Sequence, residues 1–414
     1  MRISTSQYYS SNVQTMDNQQ AQLSQLQQEL SSGNALSTPA DNPLGAAQAV
    51  TLSMQSSTLA QYTTNQNSAL TSLQLESTTL SSVTSVMQSI TSLMVQANDH
   101  SLSDSNRSSI ATELQGDRNQ LLTLANTTDG TGSYIFSGFQ SATQPFTDNA
   151  GGGVTYHGDT GQRLVQVSGT RQIVSNDSGS SVFMSVASIG ASPVLAGSSS
   201  NTGTGRSGAV TITNPAATTN TDSYSITFGG TAAAPTYTVT DNTIGASSAV
   251  TTSYTAGTTA LTINLGTGMT ASISGTPAVG DSFSVTPGTA TANSNVFTTL
   301  DSIIAALQVP VSNNPTAYAT QQNALTAGTT AFQNSLTNIS MVQASVGGRT
   351  QELNALQTAT SNNSLQLQSN LSNITSVDMV STISQYEEVQ NALQAAQKSF
   401  VQIQGMSLFQ YINP

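Results

Sequence analysis

Residues 43–97 read PLGAAQAVTLSMQSSTLAQYTTNQNSALTSLQLESTTLSSVTSVMQSITSLMVQA, and this stretch decides the fold. Leu52, Leu59, Leu73, Leu80, Met87 and Met94 fall on one seven-residue lattice interrupted only by Gln66. Three residues behind each comes a second row, Tyr62, Ala69, Val83, Ile90 and Ala97, interrupted by Glu76. Two apolar rows at this spacing form the seam of a slightly under-wound helix that enters holes in a partner helix. The spacing predicts a helix from about Pro43 to Ala97, with Asn42 as its cap and Pro43 in its first turn. In the 52–97 run the rows read as an intramolecular core.

Upstream, Met16, Leu23 and Leu30 repeat the seven-residue spacing with Leu26 in the second row, and Gly33 with Pro39 stops the run. Downstream, Asn98 to Asp104 supply a turn. Ile110, Leu114, Leu121 and Leu124 then describe a third helix, ending between Asn126 and Gly132. The last third repeats the signature. Tyr318, Leu325, Phe332, Ile339, Val346, Leu353, Leu367 and Ile374 share a lattice broken at Thr360, and Gly347–Gly348 is expected to weaken or kink it. A final helix carries Met379, Tyr386, Leu393 and Phe400 in one row and Val389, Ala396 and Ile403 in the other.

Between these ends the helical period vanishes. Tyr224-Ile226-Phe228, Leu261-Ile263-Leu265 and Phe283-Val285 alternate with polar residues between Gly, Pro, Asn and Thr clusters, as short antiparallel strands do. They form a sandwich or two small units. The similarity of DSYSITFGG (222–230) to GDSFSVTPG (280–288) suggests a weak internal repeat. The expected fold class is mainly α with a β-rich insert: long N- and C-terminal helices pair as a coiled-coil-like bundle, with an antiparallel β domain between them. Expected boundaries are 1–42 with 376–414, 43–141 with 294–375, and 142–293.

Composition narrows the function. The 414 residues include 8 Lys or Arg against 20 Asp or Glu, a net charge of −12, and no Cys. No basic patch is available to neutralise phosphates, so nucleic acid and anionic bilayers are disfavoured as partners. Neither disulfide nor thiolate chemistry is available. Met1 to Ser11 has no apolar core or small-residue cleavage site, and no stretch approaches about 18 apolar residues. Export, if it occurs, is expected to proceed without a cleaved signal peptide and without membrane insertion.

Chemistry-bearing constellations are absent from the sequence. His100 lies beside Asp99 in a turn and His157 two residues before Asp159 in the insert, and neither has the second and third ligands a metal site needs. No Ser falls in G-x-S-x-G. Gly203, Gly205 and Gly208 match G-x-G-x-x-G, but a Ser-rich loop precedes them and a strand-like run follows, the reverse of a dinucleotide loop. Glu387 and Glu388 are neighbours pointing about 100° apart on a helix, which does not make an acid/base pair. The reading is a structural subunit rather than an enzyme, with no cofactor and no metal.

The first and last helices are narrow and polar on their other faces. Met16, Leu23, Leu26, Leu30, Leu393, Phe400, Ile403 and Leu408 are therefore the candidate seam for contact between copies.

Both ends carry quotable motifs. They are MRIST (1–5), LSSG (30–33), PADNP (39–43), DSNR (104–107), LAN (124–126), GSYIFSGF (132–139), QPF (144–146), SVGGR (345–349), Asp378 and SLFQYI (407–412). In these the chain resembles the flagellin superfamily, and within it the hook-associated subunits rather than filament flagellins. Asn42 stands where the family usually has a second Asp, and Asn34-Ala35 where a basic residue commonly follows the Gly. The resemblance covers 1–146 and 294–414 and implies an extracellular subunit of the bacterial flagellum between hook and filament. Its implied partners are copies of itself, another hook-associated protein, flagellin, and an export chaperone at the C-terminal helices before type III export. It also implies terminal helices in the inner polymer wall, a helical rod and an outward β domain. The rival readings are a filament flagellin, an adhesin-like protein binding through the insert, and an enzyme housed in the insert.

Overall fold

The structure is a computed structural model that describes residues 5–36, 38–40, 42–150, 152–185, 190–245, 248–255, 260–288 and 295–412, without the side chains of 5, 6, 8 and 403–412. It divides into two compact units, Met1–Thr64 with Ala355–Pro414 and Asn65–Asn354.

The first unit is helical. It contains α1 (Thr5–Ser32), the start of α2 (Pro43–Ala97), the end of α6 (Pro315–Thr375) and α7 (Met379–Ile412). Helix α1 stops at Gly33, which at φ +72 adopts the left-handed conformation that terminates helices, its N–H donating to the Glu29 carbonyl at 2.8 Å. Asn42 caps α2 as expected, accepting from the Gly45 N–H at 2.9 Å. A Cβ at Gly45 would come within 2.7 Å of the Asn42 amide nitrogen, so a larger residue there would shift the capping side chain. Asp378 caps α7 in the same manner, accepting from the N–H groups of Val380 and Ser381.

In the second unit, α2 and α6 run antiparallel: Gln343 donates to Ser81 at 2.9 Å, and Thr329 meets the Met94 sulfur. Their seams are closed. Leu73, Leu80, Val83, Met87, Ile90 and Met94 of α2, and Leu325, Phe332, Ile339, Val346 and Leu353 of α6, are buried almost completely. Each such side chain contributes roughly 1.5–3 kcal/mol through burial. The core expected for the 52–97 run is therefore present from Gln66 onward, whereas Leu52, Leu59 and Tyr62 are half-buried. Helix α6 passes through Gly347 and Gly348 without a break, because the surrounding turns keep their hydrogen bonds where glycine only lowers propensity.

The outer faces of these helices are solvated by hydroxyls rather than charges. Along α2, Thr51, Ser57, Thr63, Thr71, Thr78 and Ser85 each donate back to the carbonyl four residues earlier at 2.9–3.0 Å.

Helix α3 (Asp104–Ala125) packs on α5 (Val296–Gln308). Two hairpins follow α3, β1 (Phe146–Asp148) with β2 (Val154–Tyr156) and β3 (Leu164–Gln166) with β4 (Gln172–Val174), and then a short helix α4 (Gly179–Phe183). Phe136, Phe146, Phe183 and Phe297 interlock beneath them at ring separations of 5.3–6.1 Å. The remaining strands are β5 (Val194–Gly197), β6 (Arg206–Ile212), β7 (Tyr224–Thr231), β8 (Ala234–Asp241), β9 (Val250–Ser253), β10 (Leu261–Leu265), β11 (Met269–Ser274) and β12 (Ser282–Thr286). They form two antiparallel sheets of order β5-β12-β7-β8-β9 and β10-β11-β6. Tyr224, Ile226, Phe228, Phe283 and Val285 of one sheet and Ile263, Leu265, Met269 and Ile273 of the other share one core, which makes this part a sandwich. The two similar segments noted in the sequence are its neighbouring strands β7 and β12, with Phe283 opposite Ile226.

Candidate assembly site

Helices α1 and α7 pair antiparallel. Tyr9 meets Phe400 edge-on at 5.7 Å near one end, and at the other Asn34 bridges to Ser376 while Ala35 donates to the Thr375 carbonyl. Of the candidate seam, Leu26 is buried, and Met16, Leu23, Leu30, Leu393 and Phe400 are half-buried. The side chains of Ile403 and Leu408 lie outside the described residues. A second set on the same pair stays open: Val13 on α1, and Met379, Val380, Ile383 and Val401 on α7, with Val380 at 78% exposure. Apart from Met379 these lie off the two seven-residue rows, whose Tyr386, Val389, Leu393 and Ala396 are half-buried, so apolar side chains on the other face remain in water.

The quoted motifs turn out to be joints. In DSNR, the Asp104 carboxylate accepts from the amides of Val311 and Ser312, and the Ser312 side chain foremost, then the Val311 amide, hold its pKa below the usual carboxylate range. Arg107, almost fully buried, donates to the carbonyls of Ala97 and Asp99, closing the C-terminal end of α2. In LAN and QPF, the Asn126 side chain bonds both the N–H and the carbonyl of Phe146, at 3.0 and 2.9 Å. Arg118 of α3 pairs with Asp301 of α5 at 2.6 Å and with Asp148 of β1 at 2.7 Å. In SVGGR, Arg349 donates to the Val174 carbonyl and to the Asp177 carboxylate.

Arg349 belongs to a polar lock between the insert and the long helices. Glu76 of α2 accepts from the Asp177 N–H at 3.1 Å, and its other oxygen, buried, has no hydrogen-bond partner. Burial foremost, and then the Asp177 charge, push its pKa up to about 8 against the opposing pull of Arg349. Gln66, the other interruption of the α2 lattice, donates to the Val167 carbonyl at 2.8 Å. Helix α6 answers with three buried asparagines. Asn323 holds Ser207 and Gly205, Asn334 holds both backbone groups of Ser192, and Asn338 holds the carbonyls of Ser181 and Val182. The spacing rules pass over these asparagines, which look like ordinary polar-face residues. The interruptions at Gln66 and Glu76 were the available signal, since a polar group on a buried row requires a partner.

The remaining chemical candidates acquire local structural roles. His157 pairs with Thr147 at 2.8 Å and His100 with the Tyr318 hydroxyl. Among the described residues no group of three His, Cys, Asp or Glu is arranged to hold a metal, and no helix is long and apolar enough to cross a membrane. Gly203 packs its backbone against the Ala278–Asp281 turn, donating to the Asp281 carboxylate, and strand β6 follows at Arg206. The glycine spacing thus serves a close backbone approach. Glu387 and Glu388 are exposed.

This arrangement, long paired helices carrying an antiparallel β insert, is that of the flagellin-like structural proteins, and residues 3–141 match the bacterial flagellin N-terminal helical region. Flagellar hook-associated protein 3 of Salmonella typhimurium is 31% identical over 410 residues, 99% of each chain. Its counterpart in Escherichia coli is 29% identical over the same span. The FlgL crystal structure from Xanthomonas campestris matches with TM-score 0.66 at 32% identity, across 77% of this chain and 98% of its own. The flagellar junction protein FlgL from Legionella pneumophila matches with TM-score 0.66 at 29% identity, across 80% of this chain and 100% of its own. The chain belongs to the flagellar hook-associated protein 3 family.

Proposed function

We propose that the protein is the structural subunit that joins hook to filament in the bacterial flagellum, and that it assembles by packing α1 and α7 against neighbouring subunits. The observation that carries this reading is the open apolar set Val13, Met379, Val380, Ile383 and Val401 on a helix pair whose inner rows already face each other. A monomer gains nothing from such a face, whereas covering the two most open of these side chains, Val380 and Val401, in a polymer contributes roughly 1–2 kcal/mol each. On this reading residues 1–42 with 376–414 form the inner polymer wall, 43–141 with 294–375 a rod, and 142–293 the outer domain.

The proposed partners are copies of the same chain, another hook-associated protein, flagellin, and an export chaperone that holds the C-terminal helices before type III export without a cleaved signal. The work is done by packing, with no catalytic turnover. The test is deletion of the gene, followed by electron microscopy of the cells and assay of flagellin in the medium. Hooks without filaments, with flagellin lost to the medium, are expected. Intact filaments would overturn the junction role.

A further inference from the structure

In a chain of net charge −12, three basic groups converge on one tyrosine. The Arg107 guanidinium lies 5.4 Å from the centroid of the Tyr318 ring and that of Arg206 6.0 Å from it, and the His100 ring stands edge-on at 4.6 Å. Arg107 is engaged by backbone carbonyls. Arg206, half-buried at the start of β6, forms no ion pair among the described residues, whereas Arg118, Arg171 and Arg349 each meet a carboxylate.

Arg206, His100 and Tyr318 line a cavity of about 590 Å³ between the β6 end of the sandwich and the start of α6. Thr204, Asn313 and Asn314 also line it, and no Asp or Glu does. Acids on neighbouring segments are occupied: the Asp99 carboxylate takes the amide and hydroxyl of Ser101, that of Asp104 the amides of Val311 and Ser312, and that of Asp281 the amides of Thr202 and Gly203.

The cavity offers an unpaired guanidinium, an imidazole whose Nδ1 meets the Tyr318 hydroxyl, a Thr204 hydroxyl engaged with Thr276, and two carboxamides, of which Asn314 caps α6 through its oxygen. With Val311, Pro315 and Ala319 beside them, it suits an anion that also carries hydroxyls and an apolar face. We propose that this cavity binds a small hydroxylated carboxylate of sugar size, a hexuronate or related sugar acid. The carboxylate sits on Arg206 and the free His100 nitrogen, and the hydroxyls on the Asn313 carboxamide and the Asn314 amide NH2, the Asn314 oxygen being held by the Ala317 N–H. The cavity holds far more than an inorganic anion fills, which selects a ring-sized ligand over phosphate.

The test is calorimetric titration of the full chain with glucuronate, with methyl glucoside as the neutral counterpart and inorganic phosphate as the bare anion. Glucuronate is expected to bind, and the glucoside and phosphate each at least about tenfold more weakly, the loss of one charge-assisted hydrogen bond or of the ring contacts. R206Q is expected to lose about tenfold in glucuronate affinity, and R206K, which keeps the charge but not the planar fork over Tyr318, to recover only part of it. Glucoside or phosphate binding as tightly as glucuronate, no glucuronate binding, or R206Q binding like the unaltered chain would each overturn the proposal. The ligand comparison on the unaltered chain decides the matter even where the substitution unfolds the protein.

Discussion

Replacing Glu76 with Gln should stabilise the second unit at neutral pH and remove most of its sensitivity to pH between about 4.5 and 8. In the folded chain the Glu76 carboxyl is buried between α2 and the Asp177 turn, and its pKa is raised from 4.5 to about 8. The folded state therefore holds a proton that the unfolded state releases. For a raised pKa the stability is fully present below 4.5 and is lost as pH climbs, levelling off above about 8. Each unit of that window costs about 1.4 kcal/mol. At pH 7 the unaltered chain has thus lost about 3 kcal/mol relative to acid, the attraction of Arg349 being already included in that pKa. Glutamine keeps an acceptor oxygen for the Asp177 N–H and carries no charge to desolvate, so E76Q should be about 2–3 kcal/mol more stable at pH 7 and nearly equal at pH 4.5. The assay is urea unfolding of the full chain at several pH values, following the near-UV tyrosine signal through the transition of residues 65–354. The informative quantity is the difference between the two proteins at each pH, since all other groups cancel in it. Parallel pH curves for E76Q and the unaltered chain would refute the argument.

Three further outcomes follow from the same contacts. Arg349→Met leaves the Asp177 carboxylate without its ion pair and should lower the stability of the second unit by about 3 kcal/mol at pH 7 in the same urea assay. Asn126→Ala orphans the Phe146 N–H, while Gln144 still serves the carbonyl, so about 1–3 kcal/mol should be lost and hydrogen exchange at Phe146 accelerated. Leu26→Ala opens a gap between α1 and α7 and should cost about 2–5 kcal/mol locally, read as faster exchange along Thr5–Ser32 with the urea transition of residues 65–354 unmoved.

The long helices were legible because a seven-residue lattice is a global signal: a single Gln or Thr does not erase a row of Leu and Met. The alternation of Tyr224, Ile226 and Phe228 likewise announced a strand with one face in a core, and all three are buried. Strand order was not legible, because pairing β12 between β5 and β7 depends on contacts distant in sequence that no local period encodes. On α1 and α7 periodicity shows apolar rows but cannot say which side chains turn inward. Leu26 does so, while Met379, in line with Leu393 and Phe400, is left in water. The motifs were visible as strings, while their work as caps and joints was not, since an Asn that caps and an Asn that is solvated look alike until the backbone group they satisfy is known.

The hydroxyls along α2 have a consequence for the medium in which such a surface can persist. Thr51, Ser57, Thr63 and their fellows spend their protons on their own backbone and turn lone pairs outward. Solvation by lone pairs neither titrates nor gathers a cloud of counterions, so acidification, dilution or brine leaves the exterior of these helices chemically the same. Two copies brought side by side strip neutral water from each other rather than dehydrating ions.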